Sequence, residues 1–113
     1  MKLSDVREIL SAEVLTGEEL LDKEVHSACG CDLMSDVLAF VKDRALLLTG
    51  LMNPQVIRTA EMMDIETVIF VRGKKPDEAI IGMAKMKDII VMTTDYPLYI
   101  AAGMLYKAGL GNV

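Results

Sequence analysis

Residues 26–36, HSACGCDLMSD, gather the chain's one histidine and both of its cysteines, followed by two carboxylates. An imidazole and two thiols at this density could bind a transition metal, and a thiol beside an imidazole could act as a nucleophile. Spacing limits both. On an extended segment successive side chains alternate between faces, so His26 and Cys29 point opposite ways and form no catalytic pair. Cys29 and Cys31 share a parity, which puts both thiols on one side. A Cys-x-Cys pair is half of a four-ligand zinc site, and the chain has no second pair to complete it. Four thiolates would require a second copy across a two-fold axis. Otherwise cysteine behaves as a small, buried hydrophobe at a strand end. The expectation is no metal and no other cofactor, with Cys29 and Cys31 as the residual candidates for metal or redox chemistry.

No other stretch supplies catalysis. RGKK at residues 72–75 lacks the upstream glycine and the hydroxyl residue of a phosphate loop, and no G-x-G-x-x-G follows an apolar run. The chain is expected to be no enzyme. A net charge of −5 argues against nucleic acid, whose binding needs a basic face. Arg72, Lys74 and Lys75 are too small a cluster to reverse that. Apolar runs such as ALLLT and TVIFV fall far short of the roughly 20 residues of a membrane span. The start, MKLSDVREIL, is acidic where a secretory signal has its apolar centre. A cytoplasmic protein with reduced thiols is expected. At 113 residues and 52% hydrophobic content, the chain suits one domain with a real core. Its nine methionines read mostly as core filler.

Such residues need elements to position them, and from residue 35 onward these alternate regularly. A first helix is expected over 3–11 with Ser4 as cap, then a short apolar segment at Val14-Leu15 and a weak strand over 24–29. SDVLAFVK (35–42) reads as a helix capped by Ser35 or Asp36, with Val37, Leu38 and Val41 on one face. ALLLT (45–49), TVIFV (67–71) and IIVM (89–92) are continuous apolar runs, the mark of strands covered on both sides. Between them, Asn53 caps a helix with Pro54 at its first position, and Pro76 starts another with Asp77 and Glu78 in its first turn. A last helix is expected from a Thr93–Asp95 cap to Lys107, closed by Gly109. Three buried strands separated by amphipathic helices define a three-layer α/β/α domain with a small, mostly parallel sheet and a less regular N-terminal edge.

In such sheets ligands bind beyond the carboxyl ends of the strands, where helix N-termini favour anions. The candidate ligand residues are Gly30, Asp32, Ser35, Gly50, Asn53, Gly73, Lys74, Thr94 and Asp95. On the last helix, Ala102 and Gly103 allow close approach of another backbone, while Tyr99, Met104 and Tyr106 supply contact area of the kind enriched at interfaces. The same small residues could equally let the helix lie against the sheet.

Several stretches resemble one family in order along nearly the whole chain: VLTGEELLDKEV (14–25), CDLMSDVLAF (31–40), VRGKKPDE (71–78) and TTDYPLYIAAGMLYKAGL (93–110). The family is that of DRTGG domains, similar in turn to the N-terminal domain of bacterial HPr kinase/phosphorylase. Where it has Asp-Arg and then Thr-Gly-Gly, this chain has Asp22-Lys23 and then His26-Ser27-Ala28. Two glycines are thus replaced by residues with a Cβ. The resemblance implies a regulatory or association role without catalytic residues, in a domain that usually accompanies others. The leading expectation is a non-catalytic regulatory module that self-associates as a homodimer and acts on a partner protein. The alternatives are a sensor of a nucleotide or other anionic metabolite at the carboxyl edge, and a metal or redox device at Cys29 and Cys31.

Overall fold

The computed structural model describes residues 1–40 and 44–111. The apolar runs have no polar face to turn to water, so they form the middle of a sheet. Its strands are β1 (Glu13–Thr16), β2 (Ser27–Gly30), β3 (Ala45–Thr49), β4 (Thr67–Phe70) and β5 (Ile90–Thr93), in the order β1-β5-β4-β3-β2. β2 to β5 are mutually parallel and β1 runs antiparallel to β5. The register of β1 slips between Val14 and Thr16, the irregular edge the sequence predicts.

The helices are α1 (Leu3–Ile9), α2 (Met34–Phe40), α3 (Pro54–Met62), α4 (Glu78–Met86) and α5 (Leu98–Lys107). Because the parallel strands lie side by side in chain order, three crossovers of one hand put α2, α3 and α4 on the same face. There Val37, Val56, Ile57, Ala60, Ile80 and Ala84 cover Leu47, Val68, Phe70 and Val91. On the other face Leu3, Val6 and Leu10 of the α1 segment and Ala101 and Leu105 of α5 cover Leu46, Leu48, Ile69 and Met92. The result is the expected three-layer α/β/α architecture. No helix among the described residues is long and apolar enough to cross a membrane.

Asn53 caps α3 as expected, its Oδ1 accepting from Gln55 N–H at 2.9 Å ahead of Pro54. Other boundaries differ. Lys2 precedes α1, so Ser4 lies inside it. β2 starts at Ser27, and Glu24 makes only a lone bridge to Lys2. α2 starts at Met34, which places Ser35 and Asp36 inside its first turn. Val37 is fully buried whereas Leu38 is 41% exposed, so they do not share a face; Val41 and Lys42 lie outside the described residues. Asp77, not Pro76, opens α4: its carboxylate accepts from Ile80 N–H at 3.0 Å. α5 begins only at Leu98, behind Pro97, because a residue preceding proline avoids helical geometry. Gly109 closes it at φ 104°.

One buried group is out of keeping. Thr67 is fully buried, and its hydroxyl has no hydrogen-bond partner among the described residues. An orphaned buried hydroxyl is destabilising. Thr67→Val keeps the shape and removes the hydroxyl, and it should raise stability by about 1 kcal/mol in urea unfolding.

Candidate functional site

Along the carboxyl edge the loops after β2, β3 and β4 turn toward the α2–α4 face, while the loop after β5 turns to α5 on the other face. The crevice of an open α/β sheet forms where neighbouring loops part in this way. Here it lies beyond β4 and β5, and hydrogen bonds between the two loops close it. Gly73 N–H donates to Thr94 O at 2.8 Å, Arg72 N–H to Tyr96 O at 2.9 Å, and the Thr93 hydroxyl to Lys74 O at 2.7 Å. Val71 to Lys74 make a tight turn, closed by Lys74 N–H on Val71 O at 3.2 Å, with φ of 60° at Arg72 and 68° at Gly73. Two consecutive positive φ values define a type I′ turn, which explains the glycine. A Cβ on Gly73 would also stand 3.0 Å from Asp95 Oδ1. Thr94 turns inward and donates to Leu10 O at 2.7 Å, so it faces the α1 segment and not the edge.

A second cluster sits beyond β3. Asp32 Oδ1 accepts from Gly50 N–H at 2.8 Å and from the Thr49 hydroxyl at 3.0 Å. Thr49 Oγ1 in turn accepts from Leu51 N–H at 3.1 Å. Lys74 reaches across from the neighbouring loop and donates to Gly50 O at 2.9 Å. A Cβ on Gly50 would be 3.7 Å from both Asp32 oxygens and from Lys74 Nζ, so carboxylate and ammonium flank the same bare Cα. Lys75 is paired with Glu13 at 3.0 Å, whereas Lys74 and Arg72 have no carboxylate partner among the described residues.

The structure therefore brings Asp32, Gly50 and Lys74 together, and Gly73 with Asp95. It leaves four candidates apart, among them Thr94, whose hydroxyl is turned inward to Leu10 O. Gly30 lies under α5, where an added Cβ would meet Leu98 Cδ1 at 3.3 Å. Asn53 is committed to its helix cap, and Ser35 is exposed in the first turn of α2. Sequence reasoning missed Thr49 and Thr93, whose hydroxyls organise the two clusters. The available signal was a hydroxyl closing an otherwise apolar strand, as in ALLLT.

In the opening motif, Cys29 and Cys31 both pack partly buried against the α2–α4 side, as their parity requires, while His26 is exposed. Cys31 Sγ donates to Leu33 O at 3.2 Å. Among the described residues no three His, Cys, Asp or Glu side chains gather to hold a metal. Burial pushes the Cys29 thiol up, and Cys31 and Asp36 add to the shift. The replaced glycines of the family motif leave no strain, because His26, Ser27 and Ala28 all keep negative φ.

On α5, Tyr99 is 85% exposed, Tyr106 61% and Ile100 42%. Gly103 is exposed too, with nothing among the described residues within 4 Å of an added Cβ. Ala102 and Met104, expected beside them, pack partly buried against the α1–α5 core instead. Ile100, which sequence reasoning passed over, joins the exposed face.

Comparison with known proteins finds the same fold in a solved structure. The chain is similar to the structure of the CBS and DRTGG domains of the regulatory region of Clostridium perfringens pyrophosphatase complexed with the activator diadenosine tetraphosphate. The TM-score is 0.75 at 18% identity, over 98% of this chain and 48% of that one, so this chain spans about half of its neighbour. No curated protein matches it in sequence. The DRTGG domain matches residues 5–108, and the chain belongs to that family.

Two outcomes are expected from these sites. Asp32→Ala leaves Gly50 N–H and the Thr49 hydroxyl without their acceptor and should lower stability by about 1 kcal/mol, read by urea unfolding. For Cys29, a raised folded pKa means stability that is full below the ordinary thiol range and falls as pH climbs through the raised value. At pH 8 iodoacetamide should therefore alkylate Cys29 more slowly in the folded protein than in urea, as intact-mass kinetics would show.

Proposed function

We propose that this DRTGG domain is a non-catalytic, cytoplasmic regulatory module that self-associates as a two-fold dimer through α5 and thereby acts on a partner protein. The observation that carries the reading is the exposed face of α5, where Tyr99, Ile100 and Tyr106 surround an open Gly103. A helix interior glycine costs about 1 kcal/mol relative to alanine. Among the described residues nothing requires one at position 103, because the small residue that meets the core is the fully buried Ala101. An approaching backbone from outside would require it. Two tyrosines beside it supply rigid, amphipathic contact area, and a self-complementary patch suits two-fold pairing.

The test is the mass of the assembly in light scattering. The wild-type chain should be a dimer, and Gly103→Leu should be a folded monomer by circular dichroism. A folded Gly103→Leu that stays dimeric removes α5 from the reading. If the wild type is itself a monomer and Gly103→Ala only stabilises it by about 1 kcal/mol, association fails as the function.

A second reading is favoured by the activator in the neighbouring structure: a sensor that binds a phosphate-bearing metabolite at the carboxyl edge. Ligand at 100 times its dissociation constant stabilises a fold by about 2.7 kcal/mol. A thermal-shift series with nucleotides should show a rise in Tm, and a flat series removes the reading.

A further inference from the structure

We infer that the loop cluster beyond β3 is an anion cradle which the chain fills with its own carboxylate, Asp32, and that a phosphate group binds by displacing it. This deepens the sensor reading and takes its physiological meaning from it. Three observations converge. The Gly50 N–H and the Thr49 hydroxyl, two neutral donors of the kind that hold phosphate oxygens, both point at Asp32 Oδ1, at 2.8 and 3.0 Å. Lys74 is anchored by one hydrogen bond to Gly50 O, which leaves two of its three protons for a further acceptor. Arg72 stands exposed two residues away in the same turn, with no side-chain partner among the described residues. Two carboxylates stand near these cations, Asp32 engaged by Gly50 and Thr49 and Asp95 against Gly73, and among the described residues neither is ion-paired with Lys74 or Arg72.

Asp32 lies between Cys31 and Leu33 and is exposed, so its side chain can turn to solvent without its loop moving. Leu33 beside it is 59% exposed. An incoming phosphate would take the Gly50 and Thr49 donors and the Lys74 ammonium, and Asp32 would swing into solvent. Phosphate offers three acceptor oxygens, so Lys74 can join the same ligand that Gly50 and Thr49 hold, whereas the Asp32 carboxylate bonds only Gly50 and Thr49.

The experiment is a titration with inorganic phosphate at constant ionic strength, followed by amide shifts of the 15N-labelled chain. In the wild type the Gly50 amide should move and saturate in the millimolar range. In Asp32→Ala the same signal should saturate at least tenfold lower, and adding Lys74→Met should abolish the gain. A Gly50 amide that stays still in both proteins overturns the cradle, as does movement confined to other residues. If Asp32→Ala does not fold, the wild-type titration decides alone. A cradle that binds phosphate in Asp32→Ala, together with a flat nucleotide series for the wild type, retains the cradle and discards the sensor.

Discussion

Leu47, Val68 and Val91 stand side by side across three parallel strands, and their chain neighbours Leu48, Ile69 and Met92 do the same on the opposite face. A strand that is apolar on both faces cannot be left bare on either, and the rest of the molecule answers that demand. The three crossover helices cover one face because the strands are laid down in chain order. The other face is covered by α1 and α5, with Leu20, Leu21 and Val25 of the segment between β1 and β2 packed beside them. α5 must therefore lie across β2 and β3, and Ala101, fully buried, lets it sit close. Its apolar character serves that purpose on the inner side. The outer side, with its two tyrosines and glycine, has no such duty within the chain.

The central strands were legible because a continuous apolar run has few other interpretations, and so was α3, where Asn53 and Pro54 announce the start. Boundaries set by a tertiary partner were not. Thr94 looks like a helix cap in sequence, but its hydroxyl is claimed by Leu10 O, which only the fold brings near. Ser35 and Asp36 look like caps as well, and the packing of Met34 and Val37 begins the helix one residue before them. Pro97 was the readable signal for the late start of α5. The glycines and capping residues marked the loops of the carboxyl edge, since strand-to-helix loops draw on a small set of residues. Which of them cluster was not readable: the meeting of Asp32 with Gly50 and Lys74 depends on register between strands.

The carboxyl edge also shows why a ligand site and a structural joint are hard to separate from residue types alone. Donors around β3 and β4 are used internally, by Asp32 and by the loop after β5. The difference lies in what each donor meets. Backbone carbonyls close the β4–β5 crevice, and these have nowhere to go. Beyond β3 the acceptor is a charged side chain on an exposed loop, which can exchange with solvent or with another anion.

The bond from Thr94 to Leu10 joins residues 84 apart, while each parallel strand pair is joined through a single intervening helix. The fold is thus a chain of local βαβ units closed by long-range contacts, the clasp of α1 and β1 onto β5 and α5 and the packing of α5 back across β2 and β3. Loop-closure entropy makes that clasp one of the last contacts to be rewarded as the chain orders itself. The αβ segment at the start of the chain is then the part of the molecule most readily peeled away and rebuilt, and amide exchange would reach it before the β3–β4 centre.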